Sequence, residues 1–100
     1  MPAGNSVRPI KWGNVIDIYD NGLYSAIWGN YDNSPNRCLG VRWNGAPGGL
    51  GYPNGCGYPT WYVEPEFLTK LILLQLLDEI NKDNSLGNMR NILVALQECP

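Results

Sequence analysis

Histidine is absent from the 100 residues of this chain, and with it go the side chain most suited to proton transfer near neutral pH and the commonest zinc ligand. Basic charge is scarce as well. Seven Lys plus Arg stand against nine Asp plus Glu, so the broad attraction to phosphate that drives nucleic-acid binding is missing. Three cysteines, Cys38, Cys56 and Cys99, make an odd count at spacings of no metal-binding pattern, and no metal or other cofactor is expected. They read as free thiols of a reducing cytoplasm. Met1 to Ser6 has neither a basic start nor an apolar core, so it reads as a polar lead-in and not as a signal peptide. The longest apolar run, Leu71 to Leu77, is broken by Gln75 and falls far short of the about 20 residues that span a bilayer. No linker divides the chain, and its length suits one domain, residues 1–100, with a lead-in over 1–9.

What is present in quantity is leucine, concentrated between Pro65 and Asn81. At roughly 100° per residue, Phe67, Leu71 and Leu74 fall on one side of a helix. Leu68, Ile72 and Leu76 take a second side, and Leu73, Leu77 and Ile80 a third. A helix apolar nearly all round is buried on several sides, and so short a chain has few elements to bury it. A homodimer is therefore expected, with Leu68, Ile72, Leu73, Leu76, Leu77 and Ile80 as the candidate interface. Pro65 suits the first helical position, while Glu64 and Glu66 suit the positive end of its dipole. After Asn84, Ser85 is placed to cap a second helix whose Met89, Ile92, Leu93 and Leu96 recur at helical spacing.

Ahead of the helices the pattern is that of strands. Asn14 to Tyr19 is β-branched and aromatic, and Asn21-Gly22 predicts a two-residue type I′ hairpin. That turn sets Ile18 opposite Ser25, Ile16 opposite Ile27 and Val15 opposite Trp28. Ile16, Ile18, Leu23 and Ile27 then form an aliphatic face for the helices, and Val15, Asp17, Tyr19, Tyr24, Ala26 and Trp28 an aromatic face. Arg37 to Trp43 predicts a third strand with Leu39, Val41 and Trp43 inward and Arg42 outward, near Asp17. Residues 45–59 form a Gly/Pro-rich loop with two Gly-Tyr-Pro triplets. It holds no lysine and does not open a helix, so it is no phosphate cradle. Thr60 to Val63 predicts a short fourth strand.

Little of this carries chemistry. Cys56 has no cation beside it to activate the thiol, and Glu64 and Glu66 are explained by the helix dipole. The aromatic face is the candidate binding surface: Tyr19, Tyr24 and Trp28 offer ring faces, Asp17 and Arg42 charge, for a small aromatic or cationic ligand. An acid/base site of Asp17 and Arg42 beside the loop is the alternative, and it needs those groups to converge in a cleft. Single-stranded nucleic acid on the same rings would need Arg8, Lys11, Arg37 and Arg42 to gather beside them.

Tyr24-Ser25-Ala26-Ile27-Trp28-Gly29, Cys38 to Gly45 and Gly57 to Phe67 together carry a Trp, Gly and Pro pattern. It resembles the small bacterial proteins, without an established activity, carried on mobile integron gene cassettes. The resemblance spans roughly Pro9 to Asp78 and implies a compact, cytoplasmic accessory protein, often oligomeric. It supplies no functional residue. The fold expected is α+β: an antiparallel sheet of three to four strands, an N-terminal meander, with two C-terminal helices packed on one face. The function expected is binding or interaction, with no enzyme activity assigned.

Overall fold

The computed structural model describes residues 11–100, so the lead-in over 1–9 and the basic residue Arg8 lie outside the described residues. Strands β1 (Trp12–Asp20), β2 (Tyr24–Tyr31) and β3 (Cys38–Trp43) form an antiparallel meander. Two short strands, β4 (Asn54–Gly55) and β5 (Tyr58–Pro59), pair with each other inside the Gly/Pro-rich loop. The last strand, β6 (Tyr62–Val63), returns to β3, giving the sheet order β1-β2-β3-β6. Helices α1 (Glu66–Lys82) and α2 (Met89–Glu98) follow, joined by a 3₁₀ turn over Asn84–Leu86. The architecture is the expected α+β one.

The hairpin register departs from the expected one, and the turn explains why. A type I′ turn needs positive φ twice, but only Gly22 takes it, at 91°. Asn21 instead uses its side chain, Oδ1 accepting from the amides of Leu23 and Tyr24 at 2.9 and 2.8 Å. Asp20 therefore faces Ser25, and a bulge between Asp17 and Tyr19 sets Ile16 opposite Trp28. A slip of one residue exchanges faces. Tyr24, Ala26 and Trp28, expected on the aromatic face away from the helices, lie under the helices with Leu39 and Val41, and the bulge keeps Ile18 and Tyr19 both in that core.

The other face holds Trp12, Ile27 and Trp61 with Val15, Tyr31 and Val63 around them. Gly40 lets this happen, because a Cβ there would meet the Trp12 ring at 2.8 Å. Arg42, expected to point outward, does so only to be covered: it is 1% exposed. Its guanidinium donates to the carbonyls of Thr60 at 2.6 Å, Pro53 at 3.3 Å and Leu50, and its Cζ lies 5.9 Å from the centre of the Trp61 ring. The Gly/Pro-rich loop wraps this one cation. Gly51, at φ 74°, is required there, since a Cβ would strike the carbonyls of Trp43 and Asn44 and the Arg42 guanidinium.

Helix α1 buries Thr69, Leu73, Leu76 and Ile80, with Ile72 and Leu77 half covered. Each fully buried aliphatic chain is worth about 1.5–3 kcal/mol. The expected interface residues Leu73, Leu76 and Ile80 are thus consumed inside one chain, and Leu68 stays 37% exposed. The uncovered side is the first one: Phe67, Leu71 and Leu74 are 81%, 68% and 43% exposed. Asn88, and not Ser85, caps α2, its side chain accepting from Asn91 N at 3.0 Å. Ala95 joins Ile92 in the core, while Leu93 stays outside. The start of α2 also covers the free edge of β1, where Asn88 N donates to Ile18 O at 3.0 Å and Asn91 Nδ2 to Asp17 O at 2.8 Å. An edge strand left open would invite pairing with other chains.

Candidate functional site

One end of the sheet, where β2 turns into β3 and the two helix termini meet, opens into a cleft of about 510 Å³. Its floor is set by the β2–β3 turn. Asp32 and Asn33 both adopt positive φ, 53° and 62°, and Ser34 N closes the turn onto Tyr31 O at 3.0 Å. Asn30 Nδ2 ties the far side to Ser34 O at 2.8 Å, and Asn14 Nδ2 donates to Asn30 Oδ1 at 3.0 Å. Arg37, just before β3, is held by Asn14 O at 3.1 Å.

Glu98, the last residue of α2, closes the wall. It accepts from Arg37 Nε at 2.8 Å, from Arg37 Nη2 at 2.5 Å and from the buried Trp28 indole N–H at 2.8 Å. The Arg37 guanidinium, helped by the Trp28 donor, holds the Glu98 carboxyl below its ordinary value, and the same pairing raises Arg37. Glu64, Glu66 and Thr69, at the junction of β6 and α1, line the same cleft. Thr69 Oγ1 donates to Pro65 O at 3.1 Å, which fixes that corner. Trp28, Tyr31, Cys38 and Val63 give the apolar lining.

Three carboxylates and one guanidinium therefore face this space. Arg37 is engaged by Glu98, which leaves the charges of Glu64 and Glu66. Glu66, in the first turn of α1, also answers the helix dipole; Glu64 precedes the helix. Burial pushes the Cys38 thiol up, against a smaller opposing hydrogen bond from the Tyr31 backbone. A thiol so shifted is protonated and a poor nucleophile. Among the described residues, no three of the Cys, Asp or Glu side chains stand close enough to hold a metal ion.

The five residues expected to form a ligand surface are not brought together. Tyr19 and Trp28 are 8% and 1% exposed beneath the helices. Tyr24 packs edge-on against Trp43, ring centres 4.9 Å apart, and burial, then the Glu64 charge, push its hydroxyl up to about 12. Asp17 is exposed and stands opposite Ile27, while Arg42 stands opposite Ser25 under the loop. Of the five, only Trp28 reaches the cleft. The two alternatives lose their geometry too, because Arg42 is enclosed and Arg37 is paired to Glu98. Sequence reasoning missed Arg37, Tyr31 and Glu98 as neighbours. One signal was there: an acid at the negative end of a helix is disfavoured unless a cation meets it.

Fold and cleft together define a class, a small α+β domain with an acidic, ring-lined cleft at one end of its sheet. Set against protein-family models, curated proteins and solved structures, the chain matches none. Among the described residues no helix is long and apolar enough to cross a membrane.

Proposed function

We propose that the chain is a small cytoplasmic homodimeric binding protein, of the integron gene-cassette kind its Trp, Gly and Pro pattern resembles, and that it holds a compact organic cation in the cleft. The observation that carries the ligand class is the charge balance: with Arg37 neutralised by Glu98, Glu64 and Glu66 line the same cleft as the half-buried Tyr31 ring. Carboxylates and ring faces are what an amine or quaternary ammonium prefers, and the volume lies within the range of small-molecule sites. Three unpaired thiols support a reducing compartment.

Calorimetry with benzylamine and choline, and with benzoate as the anionic control, tests the ligand class. The cations should bind and benzoate should not, and Glu64→Gln should weaken the cations by about tenfold, the order of one charge-assisted contact. Benzoate binding as well as benzylamine, or no cation binding at all, would overturn the assignment.

A further inference from the structure

Along one row of α1, at successive steps of four residues, stand Glu66, Lys70, Leu74, Asp78 and Lys82, all exposed. Read from either end, this row is its own charge complement about Leu74. Phe67 and Leu71 lie beside it, 81% and 68% exposed. We infer that this face is where a second copy of the chain seats, antiparallel, with the two-fold axis passing at Leu74. The inference rests on the homodimer reading above and adds the surface and its geometry.

With the axis there, Leu74 meets its own copy, Lys70 meets the partner's Asp78, and Leu71 lies toward the partner's Leu77. Symmetry makes two of each off-axis contact. On a helical wheel Phe67 falls roughly 20° from Leu74, Lys70 and Asp78 roughly 40° to either side, and Leu71 and Leu77 roughly 60°. Leu74 and Phe67 thus occupy the middle, opposite charges flank them, and Leu71 and Leu77 lie just outside the charges. Glu66 and Lys82, roughly 80° away, act as long-range guides to the same orientation. A parallel arrangement would set Lys70 against Lys70 and Asp78 against Asp78, which repel. The intrahelical Lys82–Asp78 pair, 3.1 Å apart, is more than half exposed on both sides and leaves Asp78 free to be shared. Glu66 and Pro100 border both this face and the cleft, so the second copy lands at the cleft's rim.

Light scattering on a size-exclusion column, over a wide range of concentration, reads the assembly. The wild-type chain should be a dimer. Lys70→Glu creates two like-charge contacts at once and should weaken dimerisation by at least about tenfold, as should Asp78→Lys, while the double variant Lys70→Glu with Asp78→Lys should restore it. Both sites are exposed, and an unchanged far-UV circular dichroism spectrum confirms that the fold survives. Leu74→Cys, in a Cys56→Ser background, should cross-link to a dimer on mild oxidation because the axis brings its copies together; Leu68→Cys should not. A wild-type dimer indifferent to the charge reversals, with no cross-link at residue 74, would overturn this interface and leave the homodimer standing. A wild-type chain that stays monomeric at every concentration would overturn both.

Discussion

Glu98 is met at the negative end of α2 by a guanidinium and an indole N–H, and its protonation therefore reports on how the last helix is held. Its carboxyl lies below the ordinary glutamate value of about 4.3. A carboxyl lowered in the folded state contributes stability that is complete above the ordinary value and is lost as pH falls through the lowered one. Glu98→Gln keeps an acceptor but no charge. It should therefore be less stable than wild type at pH 7, and the difference should close in strongly acidic solution, where both forms are neutral. Glu98→Ala leaves the buried Trp28 donor without a partner and should cost about 1–3 kcal/mol at neutral pH. Urea unfolding at the two pH values checks both, and a gap between wild type and Glu98→Gln that ignores pH would refute the role of charge.

At the scale of elements, α1 is apolar on more sides than the chain can cover, and substitution separates the covered side from the open one. Leu73 is fully buried, so Leu73→Ala should cost about 2–5 kcal/mol. Phe67→Ala, at an exposed site, should change the stability of one folded chain by less than about 0.5 kcal/mol. Thermal unfolding at low concentration measures both, and equal losses would mean that Phe67 is covered after all. The existence of α1, α2 and the meander was legible because period and turn residues are local. Which side of α1 faces the sheet was not, since Phe67, Leu71 and Leu74 repeat at the same spacing as the buried set. The β1–β2 register failed for a related reason. Asn21-Gly22 marks the turn correctly, but whether Asn21 supplies backbone or side chain to it, and whether a bulge follows at Ile18, depends on what each face must bury. The candidate site was the least legible part: Arg37 and Glu98 are 61 residues apart in sequence, and no local pattern joins them.

The whole molecule is layered unequally, with two helices on one side of the sheet and a loop on the other, and the loop has too few apolar side chains to hold itself down. Leu50, Tyr52 and Tyr58 of the loop are all exposed. What fixes it is Arg42, whose enclosure lowers its pKa by desolvation without bringing it within reach of neutralisation at any ordinary pH. Three carbonyls take the place of a counter-ion, and Nε alone finds no partner among the described residues. Arg42→Leu should therefore release the loop while the helix side persists. The cost should be about 1–3 kcal/mol, because the stranded carbonyls can turn to water once the loop opens. Arg42→Lys, a point charge without the planar fork, should recover only part of it. Hydrogen exchange localises the effect. The amides of Trp43, Tyr52 and Thr60, which are bonded within or onto the loop, should exchange faster in Arg42→Leu, while those of the β2–β3 ladder between Ala26 and Val41 keep their protection. Unchanged loop amides would mean that the loop is held by its own turns, and loss of protection throughout would make Arg42 a support of the entire fold and not of one layer.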